Sequence, residues 1–370
     1  MTDIPLRLGL QQRVMPGYRV AFFDALAVAC TGGLGVFFGE PRAEEAIETG
    51  EELRAAVAAH AQNLHIFRGR GYFCLQPNFI QWLENWQPEA LIVEANTRYL
   101  STPAAIEWMH LHNRPVIGWG LGAPDANAID STLRSRFLRS LDGVIAYSQA
   151  GADQYIAAGT PAERVFIAPN AVTFKPQTPA PLRPPAFTAG KPCLLFVGRL
   201  QERKRLDLLL EACAAMQCGI APRLIIVGDG PDRFRLEQLA DQLYPETEFV
   251  GAKHGVELEP YYLAADLFVL PGTGGLAVQQ AMAHALPVIV GAADGTQGEL
   301  VRPDNGWLLD ETDATALEQT IRLALSDVPR LRVMGIESRR IVAEEVNIER
   351  MVEVFAGAVH FVTSHSRKGY

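Results

Sequence analysis

The chain of 370 residues has no uninterrupted apolar run of eighteen residues, so no membrane-spanning helix is expected. Its opening MTDIPLRLGL lacks a long apolar stretch behind a basic start, so no secretory signal peptide is expected either. Positive charge is in deficit: 33 Lys and Arg stand against 42 Asp and Glu, a formal net charge of -9. That balance gives no chain-wide case for nucleic acid or an anionic membrane. The five cysteines, Cys30, Cys74, Cys193, Cys213 and Cys218, include no CxxC pair. They read as reduced thiols of a cytoplasmic protein, with neither a zinc site nor a disulfide framework. His110, His112, His254 and His284 lack ligand spacing, so no metal is expected. No G-x-G-x-x-G follows the first apolar run, which argues against a nicotinamide dinucleotide.

What is present is alternation. Short apolar runs trade places with helical patterns, which predicts parallel α/β sheets. In the first half the expected strands are Leu6–Leu10, Leu34–Phe38, Leu64–Phe67, Ala90–Val93, Val116–Trp119, Gly143–Tyr147 and Val165–Ile167. Helices are expected at Tyr18–Cys30, Glu44–Ala61, Pro77–Trp86 and Thr102–His112. The composition then changes: FKPQTPAPLRPPAFTAGKP is rich in proline and has no apolar period. This predicts a stiff linker at 174–192 between a first domain, 1–173, and a second, 193–345. The second half restarts with strands at Cys193–Val197, Leu224–Val227, Glu248–Val250, Asp266–Leu270, Pro287–Val290 and Trp307–Leu309. The tail from Arg332 to Val362 reads as helical.

Chemistry gathers in the turns after these strands. After Cys193–Val197 comes Gly198, then Arg199 and Lys204. A guanidinium fork and a point charge there suit a diphosphate. Gly228 and Gly230 shape the next strand-to-helix turn, and Gly251, Ala252 and Lys253 follow a third strand. After Leu270 come Gly272, Thr273, Gly274, Gly275 and Leu276, a turn opening a helix that bears Gln280. Free N–H groups at such a helix start favour an anion. The plainer alternatives are solvated loop cations and ordinary βα turns.

The order of these motifs resembles the family-4 glycosyltransferases with the GT-B fold. GRL with Lys204 five residues after Arg199, IIVGDGP, AADLFVLPG, QAMAHALPVIV and GTQGELVRPDNGWLLD occur in sequence. Upstream stands AYSQAGADQYIAAGTPAERVFIAPNAV. The resemblance implies two Rossmann-like parallel-sheet domains facing across a cleft. It also implies a C-terminal segment, 346–370, crossing back to the first domain. The implied reaction moves a sugar from a nucleotide-diphosphate sugar to a hydroxyl acceptor, with retention, in glycan biosynthesis. The donor is a co-substrate, and no cofactor or metal is implied. Arg199 and Lys204 match the pair that holds the diphosphate and supports the leaving group. Gly274–Leu276 match the turn that meets phosphates and sugar. Gly251–Lys253 lie near the base, and Glu299 lies just after the donor site. Two departures stand out. Where the family usually has glutamates, this chain has Gly272 and Gln280. A neutral amide bonds a hydroxyl for about 0.5–1.5 kcal/mol, against about 1.5–3 for a charged group.

By the same resemblance the first domain holds the acceptor, whether glycan, lipid-linked or small molecule. Gly17, Tyr18 and Arg19 follow the first strand. Glu94, Asn96 and Arg98 end another, and Gly120 ends a third. A buried Glu94–Arg98 ion pair is the structural alternative. The arginines of TLRSRFLRS, Thr132–Ser140, suit either solvent or the anionic inner face of a membrane. A non-catalytic nucleotide-sugar or glycan binder is the rival reading, prompted by Gly272 and Gln280. A sugar-nucleotide epimerase would need acid and base carboxylates that the motifs do not supply.

Overall fold

The computed structural model describes residues 3–45, 47, 49, 52–123, 128–217, 219–291, 297–311 and 313–365. Two compact units emerge: Met1–Val172 with Ile348–Tyr370, and Thr173–Asn347.

Among the described residues the first unit has nine strands: β1 (Leu8–Val14), β2 (Leu34–Gly39), β3 (Val57–Ala61), β4 (Leu64–Ile66), β5 (Phe73–Leu75), β6 (Ala90–Glu94), β7 (Val116–Gly120), β8 (Gly143–Ala146) and β9 (Val165–Ile167). Seven form one parallel sheet in the order β3-β2-β1-β6-β7-β8-β9. The sheet is apolar on both faces, as a parallel sheet covered by helices must be. On one face Leu8, Leu10, Val36 and Ile92 pack with helix Val20–Ala29 and helix Ile348–Ser364. On the other, Phe37, Leu91, Val93 and Val116 pack with helices Phe79–Trp86 and Thr102–Leu111. Phe22 from the first face meets Phe355 and Trp119, with ring centroids 4.9 Å and 5.8 Å away.

The second unit has one six-stranded parallel sheet: β10 (Cys193–Val197), β11 (Arg223–Val227), β12 (Glu248–Gly251), β13 (Leu267–Leu270), β14 (Val288–Gly291) and β15 (Gly306–Leu309). Its order is β12-β11-β10-β13-β14-β15. The sheet's Leu194, Phe196, Ile226, Phe268 and Ile289 are all buried in a single core with Leu209, Val278, Leu317 and Ile341 from the surrounding helices.

Two expectations fail locally. Glu44–Ala61 is not one helix. Ala43–Glu45 is a short 3-10 turn and Val57–Ala61 is the edge strand β3. The Ala-rich AAVAAHA segment favours a helix by propensity, but pairing with β2 from Gly35↔Val57 to Gly39↔Ala61 overrides it. Leu64–Phe67 does not join the main sheet: β4 pairs antiparallel with β5. The tail is helical as expected, in two helices, Val328–Glu344 and Ile348–Ser364, divided at the boundary between the units.

The proline-rich segment lies with the second unit. Arg183 pins it there, donating to the carbonyls of Ala285 (3.2 Å), Tyr262 (3.0 Å), His284 (2.8 Å) and Ala265. Burial lowers the Arg183 pKa to about 10. Arg332 adds a bond to the Pro184 carbonyl (2.9 Å) and an ion pair with Asp266 (2.6 Å). Cys30, Cys74, Cys193 and Cys213 are buried free thiols, and Cys218 lies outside the described residues. Among the described residues no helix is long and apolar enough to cross a membrane.

Candidate functional site

In an open parallel sheet, ligands bind beyond the strand C-termini where the strand order reverses. In the second unit that point lies between β10 and β13, which run side by side. The turn after β10 carries Gly198, Arg199 and Lys204, and the turn after β13 carries Gly272–Leu276. Topology therefore brings together two motifs about seventy residues apart.

The two turns are laced to each other. The Thr273 N–H donates to the Arg203 carbonyl (3.1 Å), and the Arg203 guanidinium to Thr273 Oγ1 (2.7 Å). Lys204, 9% exposed, reaches through to donate from Nζ to the Thr273 carbonyl at 2.5 Å. Its charge thus sits at the turn that opens helix Leu276–Ala283. Gly272 is where the two backbones touch. A Cβ there would overlap the Arg203 carbonyl and stand 2.6 Å and 2.7 Å from Lys204 C and Cα. Gly274 has φ +145, and a Cβ there would strike Lys204 Nζ. Arg199 is exposed at the same edge.

The neighbouring turns join the lattice. Gly198 N donates to the Val227 carbonyl (3.0 Å) and Gly228 N to Gly251 (2.9 Å). Gly228 has φ +148, and a Cβ would collide with the Gly198 carbonyl. Gly230 meets Leu200 in the same way. Ala252 and Lys253 follow β12, the far strand, and Gly251 has φ +77. Asp229 pairs with Arg233 (2.9 Å) and accepts from Gly230 N (2.6 Å). Gln280 Oε1 accepts from the Tyr262 hydroxyl (3.2 Å). His284 stacks on Tyr262 with centroids 4.6 Å apart, and burial lowers its pKa. Glu299 is half-buried on the short helix Gln297–Leu300. Gly295 and Thr296 of the quoted GTQGELV motif lie outside the described residues.

Sequence reasoning missed two supports of this site. Gln297, 1% exposed, donates from Nε2 to the Gly274 carbonyl (3.1 Å). Tyr262 orients Gln280 from another helix. Neither has a local signal, because each acts across a tertiary contact. Gln297 stands two residues from Glu299 and was inside the motif.

In the first unit the reversal lies between β1 and β6. Glu94, Asn96, Arg98 and Gly120 line one cavity of about 430 Å³, with Tyr99, Trp119 and Tyr147. Gly17–Arg19 form a 3-10 turn after β1. Tyr18 is 44% exposed, whereas Arg19 is 4% exposed. The Arg19 guanidinium lies 4.3 Å from the Trp119 ring centre, and its Nη2 donates to the Tyr147 hydroxyl (3.1 Å). No ion pair joins Glu94 to Arg98 among the described residues. Glu94 Oε2 accepts from the Arg13 N–H at 2.7 Å instead. Burial pushes the Glu94 pKa up to about 7, against the pull of Arg13 and Arg19. Behind it runs a buried amide chain that the sequence pattern did not reveal. Gln11 donates to Gln76 Oε1 (2.8 Å), Gln76 to Asn63 Oδ1 (2.8 Å), and Asn63 to the Arg13 carbonyl (2.7 Å).

Comparison with known proteins agrees with this architecture. Residues 182–341, within the second unit, match the family model described as Glycosyl transferases group 1. The chain is 34% identical over 176 residues to a putative colanic acid biosynthesis glycosyltransferase WcaL of Escherichia coli, covering 44% of this chain and 42% of the relative. It is 42% identical over 123 residues to a GDP-mannose-dependent alpha-mannosyltransferase of Mycobacterium tuberculosis, covering 32% and 30%. The matched stretches thus span less than half of either curated relative. The structure of Anabaena Alr3699/HepE in complex with UDP superimposes with a TM-score of 0.73 at 17% identity, covering 96% of this chain and 99% of that one. Two parallel-sheet α/β domains with this similarity define a GT-B fold.

Proposed function

We propose that this chain is a retaining glycosyltransferase of the family-4 kind. It moves a sugar from a nucleotide-diphosphate donor, held by the second unit, to a hydroxyl acceptor, held by the first. The observation that carries the reading is Lys204, buried and bonded into the Thr273–Gly274 turn where β10 and β13 diverge. The printed activities of the relatives and the UDP complex of the neighbour support it.

The acceptor oxygen bonds the anomeric carbon while that carbon's bond to the diphosphate breaks. The electron pair stays on the diphosphate, which also takes the hydroxyl proton. Lys204, Arg199 and the helix start at Gly274–Leu276 meet the charge that develops there. Groups already in place need no reorganisation at that moment. Gly198, Gly228 and Gly230 keep the floor of the site at backbone level. Gln280, fixed by Tyr262, addresses a donor hydroxyl as a neutral partner. With side-chain cations in this role, the reading requires no metal. The cytoplasm is the proposed place of action. Arg134, Arg136 and Arg139 on helix Ala128–Arg139 supply the positive charge for any contact with anionic lipid.

A thermal-shift panel of UDP-, GDP- and ADP-sugars identifies the donor, since a ligand stabilises the state it binds. With that donor, Lys204→Ala is expected to lower turnover about 100- to 1,000-fold. Wild-type turnover is expected to persist in EDTA. Near-normal turnover in Lys204→Ala and in Arg199→Ala would overturn the diphosphate assignment.

A further inference from the structure

The turn after β13 is held from two sides. It carries Gly272, Gly274 and Gly275, so its own side chains restrain it little. Thr273 is tied to the β10 turn through both of its main-chain groups. Its N–H donates to the Arg203 carbonyl (3.1 Å), and its carbonyl accepts from Lys204 Nζ (2.5 Å). The next carbonyl has a partner from elsewhere: Gly274 O accepts from Gln297 Nε2 at 3.1 Å. Gln297 comes after β14 and opens the short helix Gln297–Leu300. That helix lies by the β15 edge, since a Cβ on Gly298 would stand 3.7 Å from the Leu308 side chain. In the sheet, β13 runs between β10 and β14. Gln297 therefore holds the turn from the flank opposite Lys204.

That bond fixes the direction of a second group. A peptide unit is planar and trans, so its N–H points away from its carbonyl. The unit joining Gly274 to Gly275 has its carbonyl on Gln297, which directs the Gly275 N–H back toward the β10 flank. Lys204 stands on that flank, and Arg199 follows the same strand. Gly275 is the N-cap of helix Leu276–Ala283, so the helix itself does not use this N–H. A peptide between two glycines also rotates with little steric resistance. Without a donor at position 297, its carbonyl can swing to the Lys204 side and put an oxygen where the N–H had been. Gln297 is 1% exposed, and its amide supplies the donor without adding a charge.

We propose that Gln297 is a positioning residue of the donor site. Its bond to the Gly274 carbonyl keeps the Gly275 N–H turned to the diphosphate, on the side of Arg199 and Lys204. This inference deepens the glycosyl-transfer reading above and rests on it. Gln297 touches no donor atom in this role. It acts through one peptide unit, set in place before charge develops on the leaving group. The Gly251–Lys253 segment follows β12, at the other edge of the sheet, and takes no part in the latch. The latch therefore acts on the diphosphate and leaves the nucleoside alone.

The test is calorimetric titration of the full chain with UDP, UMP, GDP and GMP, in wild type, Gln297→Met and Gln297→Glu. Gln297→Met keeps the length of the side chain and removes its donor. For the base that wild type binds, this variant is expected to hold the diphosphate at least fivefold more weakly and the monophosphate within twofold of wild type. Gln297→Glu cannot donate while ionised, so at pH 8 it is expected to lose at least as much. At pH 5.5 it is expected to recover half or more of that loss relative to wild type, because burial favours the protonated acid, whose O–H donates to the Gly274 carbonyl. A merely structural role would weaken both nucleotides together and show no such recovery. That result, or an unchanged diphosphate affinity in Gln297→Met, would overturn the proposal and leave the transfer reading intact. Failure of wild type to bind either diphosphate would overturn the transfer reading, and this role with it.

Discussion

Gly272 offers the sharpest test of how the donor site is built. The family resemblance places a glutamate there, so the glycine looks like a loss. The structure gives it a steric reason. A Cβ would overlap the Arg203 carbonyl and press on Lys204 C and Cα at 2.6 Å and 2.7 Å. All are backbone atoms, so no side chain can swing aside. Relief requires moving the Glu202–Lys204 turn, which strains the bond from Thr273 N to Arg203 (3.1 Å). Overpacking costs about 1–3 kcal/mol and a lost neutral hydrogen bond about 0.5–1.5. Gly272→Ala is thus expected to lose about 2–4 kcal/mol. At about 2–4 °C per kcal/mol for a domain of this size, Tm falls by about 4–16 °C. Gly272→Glu should lose at least as much, and its donor affinity should fall because Lys204 moves. Calorimetric melting of both variants, followed by donor titration and turnover, reads each quantity. The reasoning fails if Gly272→Ala melts within a degree of wild type and Gly272→Glu turns over as fast or faster.

Two further outcomes follow from particular side chains. Arg183→Ala abandons several backbone carbonyls at once, and the second unit's melting transition should lose about 2–4 kcal/mol. Arg183→Lys should recover little of it, since one ammonium cannot reproduce the planar fork. Full recovery by lysine in calorimetry would contradict the multidentate role. Glu94 gives a pH signature. Its folded pKa, about 7, lies above the ordinary glutamate value of 4.5, so between those values the folded chain holds a proton that the unfolded chain releases. Stability from this group is therefore present at low pH and lost as pH rises through that window. Glu94→Gln should gain in Tm relative to wild type from pH 5 to pH 7.5. A constant difference across that range would contradict the burial of Glu94.

The parallel sheets were legible because their strands are apolar on both faces and are punctuated by Gly-rich turns. Sequence order was also enough to nominate Arg199, Lys204 and Gly274. The limits have equally physical causes. β3 was read as helix because its alanines carry helical propensity, while its strand identity comes from pairing with β2. The steric demand at Gly272 depends on a backbone about seventy residues away, so the substitution read only as a missing carboxylate. Arg19 read as an acceptor-side residue beside Tyr18. Its burial depends on Trp119 and Tyr147, far along the chain. Arg183 sat in a stretch whose proline content suggested a spacer. One guanidinium gathering carbonyls about eighty to a hundred residues away leaves no periodic trace.

Helix Ile348–Ser364 supplies Met351, Phe355 and Val359 to the first unit's core, although the whole second unit precedes it in the chain. On the ribosome this inverts the order of completion. The second unit, contiguous from Thr173 to Asn347, has all its strands and helices while the first still lacks one wall. At about 5–20 residues per second, the first sheet waits roughly 10–40 s with Phe22 and Trp119 without their closing partner. Any chaperone that attends this protein would find its client surface at the N-terminal sheet, and a stop codon just before Ile348 would damage a fold begun more than three hundred residues earlier.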